Sequence, residues 1–387
     1  MIAFVRRARE RLTVRGVAMR RQKLLIIALV VVVAGSAGIG AATATGLLVR
    51  RNGAIAFAHG NNLLAVSLKR PGVRRLWSCR KPLCNIYQLA WSPDGRRLAF
   101  VQGYFDGQDP SEASHMFLYV MAVGGKPERL ASCGDCGRGL WTQLSWSPDG
   151  KRIAYSRSVV YSRSGLTTEN IWIVPAAGGK PHRLTHCRSD CRDVDPRWSP
   201  NGRLLAFVDY TGGTPWRRVY TVRRDGSHLT AIANGADPQW SPDGRRIAFD
   251  GDSRGVEVAD ADGSHNRLLY PQTGGAGPGV PSWSPDGKKL VFFNTPNSGS
   301  SAEVWTINAD GTAPQRLYSS GCCVSVWAAP IWSPDGRKIA FGADAAGGTY
   351  VLNADGSGLK QLSPFVSASP DPSSMLSWQR LPERTHH

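Results

Sequence analysis

The stretch WSPDGRRLAF, residues 91–100, decides the fold because the chain repeats it five more times with small changes. The other copies are WSPDGKRIAY from 146, WSPNGRLLAF from 198, WSPDGRRIAF from 240, WSPDGKKLVF from 283 and WSPDGRKIAF from 332. The successive intervals are 55, 52, 42, 43 and 49 residues. A recurring interval of this size is typical of an array in which each repeat is one supersecondary unit.

The repeated phrase has the chemistry of a β-hairpin. Proline presets φ at the second position of a tight turn, aspartate hydrogen-bonds the local backbone, and glycine accepts a positive φ. In the third copy Asn201 replaces aspartate, a change that keeps both the hydrogen bonding and the tolerance of left-handed geometry. A ring of ligands at these six positions is the alternative, but a hairpin at the same place in every unit is favoured.

A second turn follows each phrase and completes a unit of four strands. These turns read GGK from 124 and 178, RDG from 224, and ADG from 261, 309 and 354, and the fourth strands carry Arg-Leu or a close variant. The turn around Asp262 lacks the spaced acids and the distal glutamate of a calcium loop. Four short strands per repeat predict an all-β protein built as a β-propeller.

The two ends of the array complete one another. GAIAFAHGNNLLAVS from Gly53 has the Ile-Ala-Phe strand without the phrase, whereas LSWQRL near the carboxyl end has the tryptophan without the following strands. If these ends pair, residues 53–381 form seven blades closed by a strand from each terminus, followed by a tail at 382–387; six blades is the alternative. The predicted structural tryptophans are Trp91, Trp146, Trp198, Trp240, Trp283, Trp332 and Trp378.

The amino terminus has a different composition. Residues 1–23 carry eight basic side chains and one acidic one, and residues 24–49 form an uncharged, largely apolar run that is long enough to span a bilayer. The positive-inside rule places residues 1–23 in the cytoplasm and the propeller outside, which predicts a single-pass cell-membrane protein. A cleaved signal peptide with Ala42, Thr43 and Ala44 at its cleavage site is the alternative and would make the protein secreted or periplasmic. We favour the anchor because the apolar run continues to Arg50.

The formal charge of +18 divides into two equal parts. Residues 1–51 carry ten basic groups and one acid, and the remaining chain carries 37 basic and 28 acidic groups. The exported part is therefore mildly basic and has no dense basic run, which argues against a nucleic-acid partner. Weak attraction to anionic polymers or lipid headgroups stays open.

The eight cysteines form four close pairs, each seven to ten residues before the tryptophan of the following repeat. They are Cys79 and Cys84, Cys133 and Cys136, Cys187 and Cys191, and Cys322 and Cys323. An even count in an exported chain favours local disulfides in the crossovers between blades. Zinc is disfavoured because the pairs belong to four different blades and no histidine cluster accompanies them. The adjacent Cys322 and Cys323 form either a vicinal bridge or bonds elsewhere.

The cysteine-bearing crossovers are also the longest and most variable loops. Loops held by a rigid scaffold are where binding usually resides, so we expect this rim to contact a protein or glycan partner. The alternative is that the disulfides only protect long loops outside the cell. The candidate rim residues are Arg80, Lys81, Tyr87, Arg138, Trp141, Arg188, Asp190, Arg192 and Trp327.

The phrase, the Ile-Ala-Phe strand, the Asn-x-Asp-Gly or Gly-Gly turn and the following Arg-Leu together resemble the WD-repeat-like propeller repeat of the TolB family. This repeat also occurs in prolyl-oligopeptidase-type enzymes, and the resemblance covers about residues 53–381 and implies a propeller. The sequence before Gly53 leaves no room for the α/β domain of TolB proper, so docking on the Tol-Pal machinery is not expected. A Gly-x-Ser-x-Gly motif that would supply a serine nucleophile is also absent.

An enzyme with its site in the central channel is the rival hypothesis, as a hydrolase, a lyase or a metal-dependent protein. The sequence shows no paired carboxylates at a repeated inward position, and its histidines are dispersed. We expect these histidines at the surface or in loops: His59, His115, His182, His186, His228 and His265. The sequence therefore predicts a monomeric, non-catalytic scaffold at the cell envelope, without a cofactor, a metal or a catalytic residue.

Overall fold

The computed structural model describes residues 51–69, 72–80, 84–104, 115–133, 144–160, 167–187, 191–211, 217–252, 254–272, 277–296, 302–320, 328–343, 348–364 and 376–381. All regular secondary structure in these ranges is β-strand, and no helix there is long and apolar enough to cross a membrane. The predicted cytoplasmic segment 1–23, the predicted anchor 24–49 and the tail 382–387 lie outside these ranges, so they stay predictions.

The described strands group into seven four-stranded units, which we call blades 1 to 7. The innermost strands carry the predicted tryptophans: β4 (Cys84–Trp91), β8 (Leu144–Trp146), β12 (Cys191–Trp198), β16 (Ala236–Trp240), β20 (Gly277–Trp283), β24 (Ala328–Trp332) and β28 (Leu376–Leu381). The second strands carry the Ile-Ala-Phe-type sequence: β1 (Arg51–His59), β5 (Arg97–Tyr104), β9 (Arg152–Val160), β13 (Leu204–Thr211), β17 (Arg246–Asp250), β21 (Lys289–Thr295) and β25 (Lys338–Ala343).

The third strand of each blade is largely buried, whereas the outermost strand is more exposed. The third strands are β2 (Asn62–Ser67), β6 (His115–Ala122), β10 (Thr167–Pro175), β14 (Arg217–Arg223), β18 (Gly255–Asp260), β22 (Glu303–Asn308) and β26 (Gly348–Asn353). The outermost strands are β3 (Val73–Ser78), β7 (Glu128–Cys133), β11 (His182–Arg183), β15 (Thr230–Asn234), β19 (Arg267–Pro271), β23 (Gln315–Ser319) and β27 (Lys360–Ser363). This composition confirms the predicted all-β propeller class.

Blade 1 is assembled from both ends of the described propeller. Strand β28 pairs antiparallel with β1, with Trp378 opposite Ile55 and Ser377 opposite Ala56, in the order β28-β1-β2-β3. Blades 3 and 4 are joined into one eight-stranded sheet by a single parallel bridge between Glu169 and Arg192. The described strands therefore favour seven blades over six.

Each tryptophan packs on the blade that precedes it. Trp146 of blade 3 lies in one buried cluster with Val101 and Leu118 of blade 2, and Trp378 of blade 1 lies with Ala340 and Val351 of blade 7. All seven rings are 7–9% exposed and occupy such a junction cluster. The phrase recurs because each junction between blades buries one tryptophan, which removes a large apolar surface from water.

Four of these indoles also make a hydrogen bond across the junction. Trp146 Nε1 donates to Ala90 O at 3.0 Å, and Trp283 Nε1 donates to Gln239 O at 3.0 Å. The same bond joins Trp240 to Arg197 O and Trp332 to Ser282 O. In each case the acceptor is the residue before the preceding blade's tryptophan, so the phrase fixes the spacing between neighbouring inner strands.

The predicted hairpin turn is present in all six copies. Its glycine has a φ between 66° and 71° in each. In the first copy, Ser92 Oγ donates to Asp94 Oδ1 at 2.5 Å and accepts the Arg97 N–H at 2.9 Å. Asn201 accepts from Ser199 Oγ at 2.8 Å, so the amide preserves the turn as expected. Local sequence alone accounts for this element.

Candidate functional site: the crossover face and the central channel

The first and second turns of blades 2 to 7 lie at the same end of the ring. In blade 2, the Val123 N–H at the start of the second turn donates to Arg96 O at 3.0 Å, next to the Ser-Pro-Asp-Gly turn. Equivalent bonds of 2.8–3.1 Å join Ala176 to Lys151, Arg224 to Arg203, Ala261 to Arg245, Ala309 to Lys288, and Ala354 to Arg337. We call this end the turn face and the opposite end, which carries the crossovers between blades, the crossover face.

Two of the four predicted cysteine pairs fall among the described residues, and both are disulfides. Cys79 bonds to Cys84 between blades 1 and 2, and Cys187 bonds to Cys191 between blades 3 and 4. Both bridges close a crossover between an outer strand and the next inner strand, which confirms the prediction for these pairs. Cys133 ends β7, whereas Cys136, Cys322 and Cys323 lie outside the described residues and stay predictions.

The first disulfide loop is held against the hairpin between β1 and β2. The Cys79 N–H donates to Asn61 O at 2.9 Å, and Asn61 Nδ2 donates back to Cys79 O at 3.1 Å. The Ile86 N–H donates to Gly60 O at 3.0 Å on the other side of the loop. Both ends of this crossover are therefore fixed to the hairpin of the preceding blade.

The second disulfide loop positions a charged side chain. Arg192 follows Cys191 and donates from Nε to Glu169 Oε2 at 2.5 Å. Glu169 is 1% exposed and also accepts from Ser158 Oγ at 2.7 Å. The Arg192 guanidinium lies 5.7 Å from the ring of Tyr210. Burial lowers the pKa of Arg192, but the Glu169 carboxylate raises it by more, so its pKa lies above the usual value and the side chain stays charged.

The predicted rim residues have three different outcomes. Arg80 is exposed, and the Arg192 side chain is 47% exposed although it is ion-paired. Tyr87 was expected to be exposed but is half-buried, because strand β4 turns it toward the cluster between blades 2 and 3; burial raises its pKa. Lys81, Arg138, Trp141, Arg188, Asp190 and Trp327 lie outside the described residues.

An acidic network behind the crossover face was missed by the sequence analysis. Arg217 Nη2 lies 3.4 Å from Asp250 Oδ2 and 3.0 Å from Asp252 Oδ1, which joins blades 4 and 5. Burial raises the pKa of Asp250 to about 6; Arg217 opposes this shift, whereas Asp237 and Asp252 reinforce it. The partners come from strands more than 30 residues apart, so no motif spacing could reveal them. The repeated Asp-Pro before Trp198 and Trp240 was the available signal.

A second buried carboxylate lies beside the Cys187–Cys191 disulfide. Asp193 of β12 is directly opposite Asp209 of β13. Burial raises the pKa of Asp193 to about 7; a hydrogen bond from Thr185 opposes the shift, and the charges of Asp209 and Glu169 add to it. Like charges brought close together in a buried setting favour the protonated form of one of them. The crossover face therefore contains groups that change charge near neutral pH.

The central channel contains a cavity of about 150 Å³ between the inner strands of all seven blades. A cavity of this size has room for several water molecules. Arg197 is the single ionisable side chain among its lining residues, and Gln239, with its amide turned to satisfy both groups, accepts from Arg197 Nε and Nη2 at 3.2 Å. The other lining residues are Gln88, Leu89, Ala90, Leu144, Val280, Pro281, Ser282, Ala329, Pro330, Ile331, Leu376 and Ser377.

The histidines do not converge on one place. His182, His186, His228 and His265 are exposed, whereas His59 and His115 are half-buried in strands. Within the described ranges, no group of three histidine, cysteine, aspartate or glutamate side chains is arranged to hold a metal ion.

Parts of this chain are similar in sequence to other proteins. A region of 93 residues is 34% identical to the uncharacterized peptidase YuxL of Bacillus subtilis (strain 168), covering 24% of this chain and 14% of that protein. A region of 159 residues is 31% identical to the TolB homolog of Chlorobium chlorochromatii (strain CaD3), covering 38% of this chain and 31% of that protein. The matched regions thus span less than a third of either relative.

Solved structures extend the likeness to most of the chain at the level of the fold. The crystal structure of TolB from Acinetobacter baumannii superposes with a TM-score of 0.51 and 19% identity, over 84% of this chain and 66% of that chain. The family model of the TolB beta propeller domain matches residues 85–320 and 237–375, which is more than half of the chain. The chain therefore belongs to the TolB β-propeller domain family.

Proposed function

We propose that this chain is an exported, non-catalytic propeller that binds a protein or glycan partner at the cell envelope through its crossover face. The observation that carries the proposal is the position of Arg192: a half-exposed, charged side chain, next to a disulfide, held by a carboxylate that is itself buried. Arginine is enriched among the residues that dominate binding energy at protein interfaces.

The geometry lowers the cost of binding. A free arginine on a loop loses rotamer entropy when a partner immobilises it, whereas Arg192 is already restrained by Glu169 and by the ring of Tyr210. The Cys79–Cys84 loop is restrained in the same way by its hydrogen bonds to Asn61. The described ends of two crossover loops are thus held in place on one face, which lowers the ordering cost for a partner that binds there.

Export is the second part of the proposal. Local disulfides persist in oxidising compartments and are rare in reducing ones, and two are present on this face. The predicted anchor or signal sequence supports the same location. The matched relatives include a TolB homolog and a peptidase, and their names describe proteins of which this chain matches a minor part.

The enzymatic alternative would need an acid–base pair or metal ligands facing the channel. The lining of the described cavity supplies backbone groups, apolar side chains, two glutamines, two serines and Arg197. General acid–base catalysis requires a group that exchanges protons near the working pH, and arginine does not. The channel therefore supports binding of a small polar ligand better than it supports hydrolysis or elimination.

The test is a crosslinking pull-down from intact cells with the native chain and with Arg80→Glu, which reverses a charge on the crossover face. Arg183→Glu on β11 is the matched control, because Arg183 is equally exposed but lies on an outermost strand. We expect a reproducible envelope partner whose recovery falls about tenfold or more with Arg80→Glu and is unchanged with the control.

A Cys79→Ser, Cys84→Ser double variant, checked for a native unfolding transition, tests whether the disulfide restraint matters. Equal recovery from all variants would place the partner elsewhere on the ring. No partner from any sample would contradict the scaffold function and direct attention to small ligands in the channel.

A further inference from the structure

Six exposed cations form a ring on the turn face. Each occupies the position directly after the Ser-Pro-Asp-Gly or Ser-Pro-Asn-Gly turn, and each is exposed to solvent. They are Arg96, Lys151, Arg203, Arg245, Lys288 and Arg337, which we call the basic ring. None of the six side chains makes an ion pair within 4.0 Å with another described residue.

The fold does not need these six charges. The backbone of each of these residues stabilises the turns: its N–H donates to the turn carboxylate or amide, and its carbonyl accepts a hydrogen bond from the second turn. The next position in the phrase is different: Arg97 lies 5.0 Å above the ring of Trp146, and Arg246 lies 4.8 Å above that of Trp283. In these two copies the second cation packs on a tryptophan, whereas the first is exposed to solvent beside the turn carboxylate.

Three of the four exposed large apolar side chains of the described residues lie at the same end. Val123 is 46% exposed, Leu229 61%, Leu268 50% and Leu359 50%. Val123, Leu229 and Leu359 lie in, or just after, the second turn of their blades, and these turns are hydrogen-bonded to the basic ring, whereas Leu268 lies within strand β19. Cations interspersed with exposed leucines are the composition that binds the headgroup region of an anionic bilayer.

Both ends of the described propeller also lie on this face. Asn52 Oδ1 accepts the Asp335 N–H of the blade 7 turn at 3.3 Å, and Gln379 Nε2 donates to Gly95 O of the blade 2 turn at 2.7 Å. Strand β1 begins at Arg51, and the predicted apolar anchor ends at residue 49. Residues 49 and 51 are two Cα–Cα steps apart, which is at most about 7 Å, so an uncleaved anchor keeps the start of β1 close to the bilayer surface.

The opposite face is less uniform. Four of its described arginines are paired with buried or half-buried carboxylates: Arg192 with Glu169, Arg217 with Asp250 and Asp252, Arg254 with Glu257, and Arg316 with Glu303. The described turn face therefore repeats six cations without an ion pair, beside the turn carboxylates, at the end where the chain enters the propeller, whereas the crossover face mixes paired arginines with exposed cations such as Arg80.

We propose that the turn face docks on anionic lipid headgroups, with the basic ring facing the bilayer and the crossover face directed away from it. The orientation of the propeller at the membrane depends on the predicted anchor. Binding of a partner to the crossover face does not depend on the anchor, so each proposal can be contradicted without affecting the other. Each lysine or arginine near an anionic surface strengthens binding about fivefold, and six act together here. Salt should weaken the contact because the ring is solvent-exposed.

The test uses the full chain in nanodiscs of phosphatidylcholine alone and of phosphatidylcholine mixed with phosphatidylglycerol, and measures amide hydrogen exchange. We expect the anionic lipid to slow exchange in the turn segments, such as residues 92–97 and 241–246, and to leave the crossover segment 84–88 unchanged. The difference should disappear at high salt and in a variant with all six ring cations changed to glutamine.

Two controls separate charge from structure. Changing the four ring arginines to lysine keeps the charge and should keep the lipid-dependent protection. Changing Arg96→Gln together with Arg245→Gln should weaken binding to the anionic lipid about 25-fold, because each charge strengthens binding about fivefold. The matched pair Arg80→Gln with Arg218→Gln removes two exposed cations from the crossover face and should leave the lipid-dependent protection of the turns unchanged. If export removes the amino-terminal segment, co-flotation of the released chain with vesicles of the same compositions replaces the nanodiscs.

Three results would overturn the proposal. The first is equal exchange, or equal flotation, with neutral and anionic lipid. The second is lipid-dependent protection located on the crossover segments. The third is the same protection of the turns by a short duplex oligonucleotide in neutral nanodiscs, which would show a general polyanion site rather than a lipid surface.

Discussion

The turn face and the crossover face of this propeller are built from the same 28 described strands but follow different chemistry. On the turn face, blades 2 to 7 repeat the same hydrogen bonds, the same glycine conformation and the same exposed cation. On the crossover face, each blade differs, and charged side chains pair across blades, as Arg192 does with Glu169 and Arg217 with Asp250. Repetition therefore marks the end that builds the ring, and variation marks the end available for specific recognition.

The sharpest test of the ring-closing role of the turn face is Gly95→Ala. Gly95 has a φ of 67°, and an added Cβ would lie 1.9 Å from Arg380 O of the closing strand. The left-handed backbone costs an alanine about 1–2 kcal/mol, and displacing the strand adds about 1–3 kcal/mol. We expect a loss of about 2–5 kcal/mol in the free energy of unfolding, measured by urea denaturation.

Gly150→Ala is the control for that change. Gly150 has a φ of 66° in the equivalent turn, but the nearest atom to an added Cβ is Arg97 Nη2 at 3.5 Å. Its cost should be limited to the conformational part, about 1–2 kcal/mol. Equal losses at Gly95 and Gly150 would mean that the closing strand does not press on the first turn.

A second prediction compares one arginine from each face. Arg192→Ala leaves the buried Glu169 carboxylate without its charged partner, and removing one partner of a fully buried pair costs about 3–5 kcal/mol. Because the Arg192 side chain is 47% exposed, we expect about 2–3 kcal/mol here. Arg96→Ala on the turn face should change the unfolding free energy by less than about 0.5 kcal/mol.

Adding Glu169→Gln to Arg192→Ala should restore part of the lost stability, since the buried group is then neutral. Thermal unfolding of the two single variants and the double variant measures this coupling. A destabilisation by Arg96→Ala as large as that by Arg192→Ala would erase the distinction between a structural ion pair and a free surface cation.

The third prediction, with the smallest effect, is that the two faces respond to pH in opposite directions. Asp193 has a pKa raised to about 7. Its contribution to the free energy of unfolding is therefore complete below about pH 4 and is lost as the pH rises toward 7. Burial tends to raise the pKa of Asp94 in the first turn, but the Ser92 hydroxyl, the Arg96 N–H and the nearby arginines lower it by more. The contribution of Asp94 to the free energy of unfolding is present above about pH 4 and is lost as the pH falls.

Unfolding free energies measured from pH 3 to pH 8 should therefore change in two windows. Asp193→Asn should reduce the decline in unfolding free energy between about pH 4 and pH 7. Asp94→Asn should reduce the loss of unfolding free energy below about pH 4. At neutral pH, Asp94→Asn should lose only the charge-dependent part of this contribution, less than about 1 kcal/mol, because Asn201 already makes the same two hydrogen bonds in the third copy. An unchanged profile for Asp193→Asn would contradict the raised pKa.

Much of the fold could be predicted because the turn face depends on local chemistry. Each Ser-Pro-Asp-Gly turn closes through bonds within six residues, so its presence and its spacing were readable from the chain. The packing of each tryptophan on the preceding blade followed from the regular interval between the repeats. The crossover face was less predictable: the disulfides were visible as pairs, but the exposure of Tyr87 was misjudged because strand alternation turns it toward the core.

The sequence by itself determined the repeat, the hairpins, the pairing of the two chain ends and the local disulfides, because each depends on contacts that neighbouring residues or a regular period specify. Only the tertiary structure decided which charges meet. The Arg217 pairs with Asp250 and Asp252 and the opposition of Asp193 to Asp209 join residues from different strands. The basic ring is likewise a property of the closed ring, because six scattered cations form one surface when the blades point their turns the same way.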